Sequence, residues 1–265
     1  FMVMGHKAFS KDSVCIFSTR SGNTKEIVAA AKFCKEAGAR TMVYVSNDNT
    51  PVCEYADYKF YSPAEDPDLC EAIYSYTICL LGRFMKNAGA FDKYDEFMAQ
   101  YAGLTKYLIA GKEKFDPFCQ ELAKKFKDVD YHMVIGGGML WGEAYDYAMC
   151  ILEEMQWIRT KSIHVCEYFH GTLELVEKDT SLILFYGEDE TRPLMDRVLK
   201  FSKTVSDEIT IFDTKEVELP FTDPEFRKIV SPIVIYAITE RLSAHLAKER
   251  NHPLTTRRYY RQMEY

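Results

Sequence analysis

The chain has 265 residues, of which 47% are hydrophobic and 28% charged, and its formal net charge is -7. This length suits one large domain or two modest ones with a buried core. The negative charge argues against a nucleic-acid backbone as the main partner. Since there is no apolar run of about eighteen residues and no secretory signal pattern, we expect a cytoplasmic protein that does not enter a membrane.

The eight cysteines form no CxxC pair, and most of them lie within apolar segments. In a chain of this length without a signal pattern, such cysteines are expected to be reduced and buried. We therefore expect neither a disulfide framework nor a zinc site.

The N-terminal part of the sequence combines apolar runs with a helical pattern. Residues 13–18 are apolar and lead into a polar loop, after which apolar residues recur with helical spacing as far as Gly38. A further apolar run follows at 41–46, and another run with the pattern of a strand at 57–62. Strand, loop, helix and strand in this order predict a parallel α/β unit.

Residues 66–126 contain no clear strand pattern, and their aromatic residues are typical of helix packing. We expect two or three long helices here. The sequence predicts breaks between them around 88–93 and 111–116.

The α/β pattern resumes in the last half of the chain, where we expect about five strands. The clearest apolar runs are 131–136, 162–167, 181–187 and 208–213. Helices are predicted over roughly 139–157, 190–204 and 224–249. The last residues, 251–265, are basic and aromatic without periodicity. They form either a frayed end or a segment that packs over a charged ligand.

The first α/β unit has only about three strands and begins abruptly. A strand of central type at 13–18 would leave a bare edge, because parallel sheets are normally covered on both faces and built from complete crossover units. We therefore expect further residues before Phe1 in the natural protein.

A polar loop from Thr19 to Thr24 lies between the first predicted strand and the first predicted helix. Its hydroxyls, its glycine and the free amides of the helix N-terminus would favour an anion, most simply a phosphate. The loop lacks the Lys-Ser/Thr ending of a nucleotide-binding P-loop. The alternative is that Ser21 or Thr24 simply caps the helix.

A second loop of this kind, Gly136-Gly137-Gly138, follows the strand predicted at 131–136. Glycines there allow a tight turn and a close approach of the backbone, and turn geometry alone is the simpler explanation. Further on, Glu154 and His170 are separated by a helix end, a short strand and a turn. A carboxylate and an imidazole can act as an acid/base pair, although two such residues can equally be unrelated surface groups.

The loop TRSGNTKE, placed after an apolar strand, resembles the sugar-isomerase (SIS) domain, in which this loop binds sugar phosphates. The second half is similar to the second SIS domain of double-SIS proteins such as glucosamine-6-phosphate synthase. The segments EYFHGTLELVE (167–177), ILFYGEDETR (183–192) and RRYYRQMEY (257–265) resemble the fructoselysine-6-phosphate deglycase family of fructosamine deglycases. This resemblance covers nearly the whole chain.

The resemblance implies an α/β fold of two SIS-type, three-layer α/β/α units with parallel sheets, joined by helices, with the N-terminal unit incomplete. The implied divisions are the remainder of the first SIS domain at 1–65, a helical connector at 66–127, the second SIS domain at 128–250 and an active-site tail at 251–265.

The resemblance also implies where the functional residues lie. The corresponding positions are, for the substrate phosphate, Thr19, Ser21, Gly22, Asn23 and Thr24, and, for catalysis, Glu154 and His170. Glu153 is expected to point to a different helix face from its neighbour. Arg257 and Arg258 lie where the related synthase has an active-site lysine, and Glu167 and Arg258 are candidates for contacting the amino acid. Phe169 stands where this family often has a basic residue.

The activity that the resemblance implies is hydrolysis of a fructosamine 6-phosphate, such as fructoselysine 6-phosphate, to glucose 6-phosphate and an amino acid. It implies no metal and no organic cofactor, and a homodimer or higher oligomer whose subunits share active sites. Two alternatives remain open. One is a sugar-phosphate aldose–ketose isomerase or glucosamine-6-phosphate deaminase with the same acid/base pair, and the other is a non-catalytic sugar-phosphate sensor.

Overall fold

The chain is described by a computed structural model that covers residues 5–61, 70–260 and 262–264. Its contacts divide it into two compact units, Phe1–Tyr76 and Thr77–Tyr265. Ser62, the last residue of the third predicted strand, lies outside the described residues. So do Arg261 and Tyr265 of the predicted tail.

The first unit is built on three parallel strands in the order β1, β2, β3. The elements are β1 at Val14–Ser18, helix α1 at Lys25–Glu36, β2 at Arg40–Val45, a 3-10 helix at Pro51–Tyr55 and β3 at Tyr58–Tyr61. Ala31 of α1 packs with Val43 of β2 and Val52 in a fully buried cluster. β1 lies at one edge of the sheet, and its Val14 and Ile16 are exposed. The three predicted strands are confirmed over the described residues.

Three helices come next, namely α2 at Cys70–Asn87, α3 at Tyr94–Tyr101 and α4 at Leu104–Phe126. The predicted break at 88–93 is confirmed. The break predicted at 111–116 is wrong, because α4 runs through it without interruption. Gly111 is a packing position, since a Cβ there would lie 3.1 Å from the Val217 side chain.

The second unit contains a parallel sheet with the strand order β5, β4, β6, β7. The strands are β4 at Tyr131–Gly136, β5 at Arg159–His164, β6 at Ser181–Tyr186 and β7 at Ile209–Asp213. The described residues of this unit therefore hold four strands, one fewer than expected. β5 also begins at Arg159 and not at Ser162.

Four helical segments of the second unit follow strands of this sheet along the chain. They are α5 at Trp141–Asp146, its continuation as a π-helix at Tyr147–Met155, α6 at Arg192–Ser202 and α7 at Pro224–Glu249. The prediction of a last long helix at 224–249 is confirmed. Its start follows from local chemistry, because Asp223 accepts a hydrogen bond from the Glu225 amide at 2.9 Å and Pro224 suits the first helical position.

The two middle strands of the second sheet, β4 and β6, supply most of its core. All six residues of β6 are buried, which is typical of a parallel strand covered on both faces. His132 of β4 is fully buried, and its Nδ1 lies 2.7 Å from the Ser181 hydroxyl. Burial lowers the pKa of His132 to about 4, so the ring is a neutral core group.

The cysteines are free, and all eight are described. Cys34, Cys53 and Cys119 are buried, and burial raises the pKa of the Cys119 thiol to about 12. The expectation of burial is wrong for Cys166, which is exposed because it lies in the turn after β5.

Two further properties bear on function. In the part of the chain that the structure describes, no group of three or more His, Cys, Asp or Glu side chains is placed to hold a metal ion. Across the same residues, no helix has the length and hydrophobicity that a bilayer crossing requires.

Candidate active site

The first loop, Thr19–Thr24, takes its shape from a glycine. Gly22 has φ of 64°, and a Cβ there would lie 2.2 Å from the Thr50 hydroxyl oxygen, so only glycine fits. The Gly22 amide donates to Thr19 Oγ1 at 3.2 Å, and its carbonyl accepts from the Val52 amide at 3.0 Å. The loop is therefore held in place by hydrogen bonds within its own unit.

Two hydroxyls of this loop have no hydrogen-bond partner among the described residues. Thr24 occupies the N-cap position of α1 with an extended backbone, but its side chain makes no capping bond, and Ser21 makes none either. The capping alternative therefore fails for both. Thr19 Oγ1 accepts one bond and can still donate its own proton. Together with exposed Asn23 and the helix N-terminus, these groups suit an anion.

The second loop, Gly136–Gly138, already contains a carboxylate. Asp189 Oδ2 accepts a hydrogen bond from the Met139 amide at 2.7 Å. A Cβ on Gly138, whose φ is 51°, would lie 2.3 Å from that same oxygen. Asp189 Oδ1 accepts from both the amide and the hydroxyl of Thr191. Turn geometry and packing therefore account for these glycines.

Glu154 lies near the end of the helical segment that follows the second loop. The last part of that segment, Tyr147–Met155, is a π-helix, a rare form that is frequent at functional sites. Trp157 then adopts φ of 57°, and the Ile158 amide bonds back to the Leu152 carbonyl at 2.9 Å. This is a helix-end geometry at which glycine is the usual residue.

The half-buried Glu154 carboxylate pairs with the C-terminal tail. Its Oε1 lies 3.1 Å from the Arg257 guanidinium, whereas Glu153 accepts a hydrogen bond from the Thr160 hydroxyl at 2.6 Å. The two glutamates have different partners, yet both line the same cavity. Glu153 therefore borders the same cavity, although its carboxylate has a different partner from that of Glu154.

The tail packs against this helix end in its described part. Gln156 Nε2 donates to the His252 carbonyl at 2.8 Å. Arg257 donates to the carbonyls of Leu254 and Thr256 at 2.6 Å and 2.9 Å. These bonds fix the residue that holds Glu154, so over its described residues the tail is not a frayed end.

The helix end and the tail together border an open cavity of about 600 Å³. Its walls are formed by Glu153, Glu154, Trp157, Ile158, Arg159, Thr160 and residues 257–260. The Arg258 guanidinium lies 4.2 Å from the centroid of the Trp157 ring, and His252 packs edge-on against that ring at 4.5 Å. Burial lowers the pKa of His252, and the charge of Arg250 lowers it further.

His170 and Glu167 are not part of this cavity in the described residues. Both are exposed in the turn that follows β5. The His170 amide donates to the Glu167 carbonyl at 2.9 Å, and Gly171 continues the turn at φ of 116°. The turn therefore depends on glycine and presents the His170 residue to solvent in a single chain.

Phe169, which precedes the histidine, packs inward. Its ring contacts Tyr168 and Phe201 edge-on, and the Arg197 guanidinium lies 4.2 Å from its centroid. A basic group next to the turn is therefore supplied by α6, although position 169 is aromatic.

Three residues of these sites escaped the sequence analysis, namely Trp157, Arg159 and Asp189. Asp189 had a usable signal, because an acidic residue after strand 181–187 lies at the carboxyl edge of the sheet, where ligand-binding loops gather. Trp157 had none, since nothing in the sequence marks a tryptophan for a left-handed helix end.

These features define a class of protein. Two parallel α/β sheets, the first with a strand–loop–helix turn between β1 and α1, are the architecture expected of SIS-type proteins. Residues 2–81 match the SIS domain family. A solved structure from Salmonella typhimurium LT2, assigned to the phosphosugar isomerases, has a TM-score of 0.87 and 31% identity, covering 99% of this chain and 79% of that one. The two-unit SIS fold is therefore confirmed.

Comparison with individual proteins identifies the family to which the chain belongs. The chain is 32% identical over 258 residues to the fructosamine deglycase FrlB of Bacillus subtilis, covering 96% of this chain and 77% of that protein. It is 23% identical over 241 residues to a fructoselysine 6-phosphate deglycase of Escherichia coli K12, covering 90% and 68%. The chain belongs to the fructosamine deglycase family of SIS-domain proteins.

Proposed function

We propose that the protein is a fructosamine 6-phosphate deglycase. It would convert fructoselysine 6-phosphate, or a close relative, and water to glucose 6-phosphate and a free amino acid. The observation that carries the proposal is the ion pair of Glu154 with Arg257 on the wall of the cavity, because it fixes a carboxylate where a small ligand can reach it. The name of the Bacillus subtilis relative, a fructosamine deglycase, supports the substrate class.

The reaction requires proton transfer before the C–N bond can break. A base removes a proton from C1 while an acid protonates the carbonyl oxygen at C2, which gives an enaminol. Return of a proton to C2 and loss of the N–H proton move the double bond to C1 and nitrogen. Water then hydrolyses this Schiff base and releases the amine.

One carboxylate and one imidazole are enough for these steps, without a metal or an organic cofactor. We assign Glu154 as the base that carries the proton from C1 to C2. We assign His170 as the acid that assists ring opening or protonates the C2 oxygen.

The first loop is proposed to bind the substrate phosphate. The free hydroxyls of Ser21 and Thr24, the remaining proton of Thr19 and the Asn23 residue provide donors without displacing a protein partner, whereas the Gly22 amide would exchange its bond to Thr19 Oγ1 for one to the phosphate. Binding energy gained at the phosphate, remote from the reacting carbon, would orient C1 and C2 for proton transfer.

A shared site is proposed because the two catalytic residues have different surroundings in one chain. Glu154 lines the cavity, whereas His170 is exposed in a turn that does not line it among the described residues. In a homodimer or higher oligomer, His170 of one subunit would complete the site that contains Glu154 of another. A phosphorylated sugar substrate also fits a cytoplasmic enzyme.

Product analysis with three candidate substrates tests the proposal. The purified protein is incubated with fructoselysine 6-phosphate, fructose-aspartate 6-phosphate and glucosamine 6-phosphate, and glucose 6-phosphate and ammonia are measured. We expect glucose 6-phosphate from at least one fructosamine and no ammonia from glucosamine 6-phosphate. Ammonia would indicate a deaminase, and no product from any of the three would leave a sugar-phosphate sensor.

Substitutions then assign the roles. Glu154→Gln and His170→Asn should each lower kcat by about 100-fold or more, since general acid–base catalysis contributes roughly 10²–10⁴-fold. Glu153→Gln is the matched control and should retain most of the activity. Mixing the two inactive variants should restore part of the activity if subunits exchange. Failure to restore any, with exchange shown independently, would contradict the shared site.

A further inference from the structure

Trp157 has a backbone conformation that tryptophan rarely adopts. Its φ of 57° is in the left-handed region, where a bulky residue is a true outlier. The residue ends the helical segment that carries Glu154, at a position where glycine is usual. Backbone strain of this kind persists only where the surrounding structure imposes it, and it is common at ligand sites.

The Trp157 ring supports Arg258. The guanidinium lies 4.2 Å from the ring centroid, and the His252 ring packs edge-on against the same indole at 4.5 Å. Stacking occupies the face of a guanidinium and leaves the N–H donors around its rim available. No acceptor for these donors exists among the described residues. The strained tryptophan therefore orients a cation whose hydrogen-bonding capacity is unused.

The cavity wall has three arginines, and only one of them is paired with a carboxylate among the described residues. Arg257 is paired with Glu154, and Glu153 accepts a hydrogen bond from a threonine hydroxyl. Arg159 also lines the cavity, is exposed, and has no acidic partner in the described part of the chain. Two guanidinium groups, Arg159 and Arg258, are therefore left to meet an anionic group of a ligand.

We propose that Arg258, which lies over the Trp157 ring, binds the carboxylate of the amino acid in the substrate, with Arg159 as a second donor. This inference rests on the proposed function, because it places the amino-acid end of a fructosamine 6-phosphate in the cavity of Glu154. A planar guanidinium matches a carboxylate with two parallel hydrogen bonds, which an ammonium group cannot do. The chain is thus selective for fructosamines whose amine carries a carboxylate.

A matched pair of substrates tests this selectivity. The 6-phosphofructosyl derivatives of glycine and glycinamide differ only in the carboxylate. The unmodified protein should prefer the glycine derivative roughly tenfold to a hundredfold in kcat/KM, the factor expected for hydrogen bonds to a charged group. Arg258→Gln and Trp157→Gly should remove most of that preference, so that the ratio of kcat/KM for the two derivatives approaches one.

Each variant has a structural check. Glycine suits the φ of position 157, so Trp157→Gly should fold, which circular dichroism and the unfolding midpoint would verify. Lys106→Gln removes another cation that lies over a ring, 4.9 Å from the Tyr107 centroid, but outside the cavity, and should keep the preference intact. Equal rates for the two substrates, or equal loss for both in Arg258→Gln, would overturn the inference.

Binding measurements separate this inference from the proposed reaction. The same two compounds are titrated calorimetrically into the His170→Asn variant, which keeps the Glu154–Arg257 pair. Tighter binding of the glycine derivative, lost on adding Arg258→Gln, would support the carboxylate site even if the unmodified protein released no glucose 6-phosphate. In that case only the proposed reaction would fail. Equal binding of both compounds would reject the carboxylate site.

Discussion

The two strand–loop–helix turns of the molecule have the same topology and opposite electrostatics. In the first unit, the loop between β1 and α1 leaves the hydroxyls of Ser21 and Thr24 without hydrogen-bond partners among the described residues. In the second unit, the loop between β4 and α5 is closed by the Asp189 carboxylate, which accepts the Met139 amide at 2.7 Å. The first loop has hydroxyl donors that are unused among the described residues, and the second already holds a carboxylate.

This difference shows that topology alone does not make a phosphate site. A parallel strand followed by a helix always brings backbone amides to the carboxyl edge of the sheet. A side chain from a neighbouring loop then decides whether those amides are satisfied internally. Asp189 follows β6, the strand beside β4, and is therefore well placed to fill the second loop.

The largest expected effect on stability comes from adding a methyl group to the second loop, Gly136–Gly138, which Asp189 closes. In Gly138→Ala, the new Cβ would overlap the Asp189 carboxylate, and φ of 51° would be strained. Left-handed strain of about 1–2 kcal/mol and overpacking of roughly 1–3 kcal/mol should together lower the free energy of unfolding by about 2–5 kcal/mol. Urea denaturation measures this loss.

A nearby glycine supplies the control for that measurement. Gly142 lies within α5, and a Cβ there would meet nothing within 4 Å. Gly142→Ala should therefore stabilise the protein by roughly 0.5–1 kcal/mol. If Gly138→Ala were as stable as the unmodified protein, the second loop would not be closed as described.

A smaller effect is expected from substitutions in the first loop, Thr19–Thr24, which we call the open loop. This effect is on activity and not on stability. Ser21→Ala and Thr24→Ala should each lower kcat/KM for the phosphorylated substrate by roughly tenfold to a hundredfold, the loss of about 1.5–3 kcal/mol typical of a hydrogen bond to a charged group. The unfolding midpoint should stay unchanged, because neither hydroxyl has a partner among the described residues.

The matched control is a hydroxyl that bonds to Asp189, the residue that closes the second loop. Thr191 Oγ1 donates to Asp189 at 2.5 Å, so Thr191→Val should reduce stability and leave KM unaltered. The reverse outcome, in which Ser21→Ala destabilises the fold and keeps its KM, would mean that the open loop is structural.

The two middle strands of the second sheet, β4 and β6, were predictable because their buried residues form short apolar runs in the local sequence. The run 181–187 is apolar throughout, as a strand covered on both faces must be, and β6 lies within it. The helix break expected at 111–116 is wrong because the role of the glycine there depends on a residue that is distant in sequence. Gly111 is required by contact with Val217, a partner distant in sequence that no local pattern reveals.

The candidate site likewise has residues that the sequence could predict and residues that it could not. Glu154 and Arg257 were placed by resemblance to a family, and the structure brings them together at 3.1 Å. The left-handed Trp157 and the closure of the second loop by Asp189 depend on tertiary packing. Sequence reasoning recognised two glycine-containing loops, but only the contacts showed that one of them holds its own carboxylate.

The smallest expected effect comes from neutralising that carboxylate without changing its size. In Asp189→Asn, one of the two oxygens becomes an NH₂ group that faces a donor, either the Met139 amide or the Thr191 groups. At least one hydrogen bond is lost, which should lower the free energy of unfolding by about 1–2 kcal/mol. Asp207→Asn, in an exposed pair with Lys178, should change it by less than about 0.5 kcal/mol. Urea denaturation of both variants makes the comparison, and equal stabilities would show that the amides of the second loop do not need an anion.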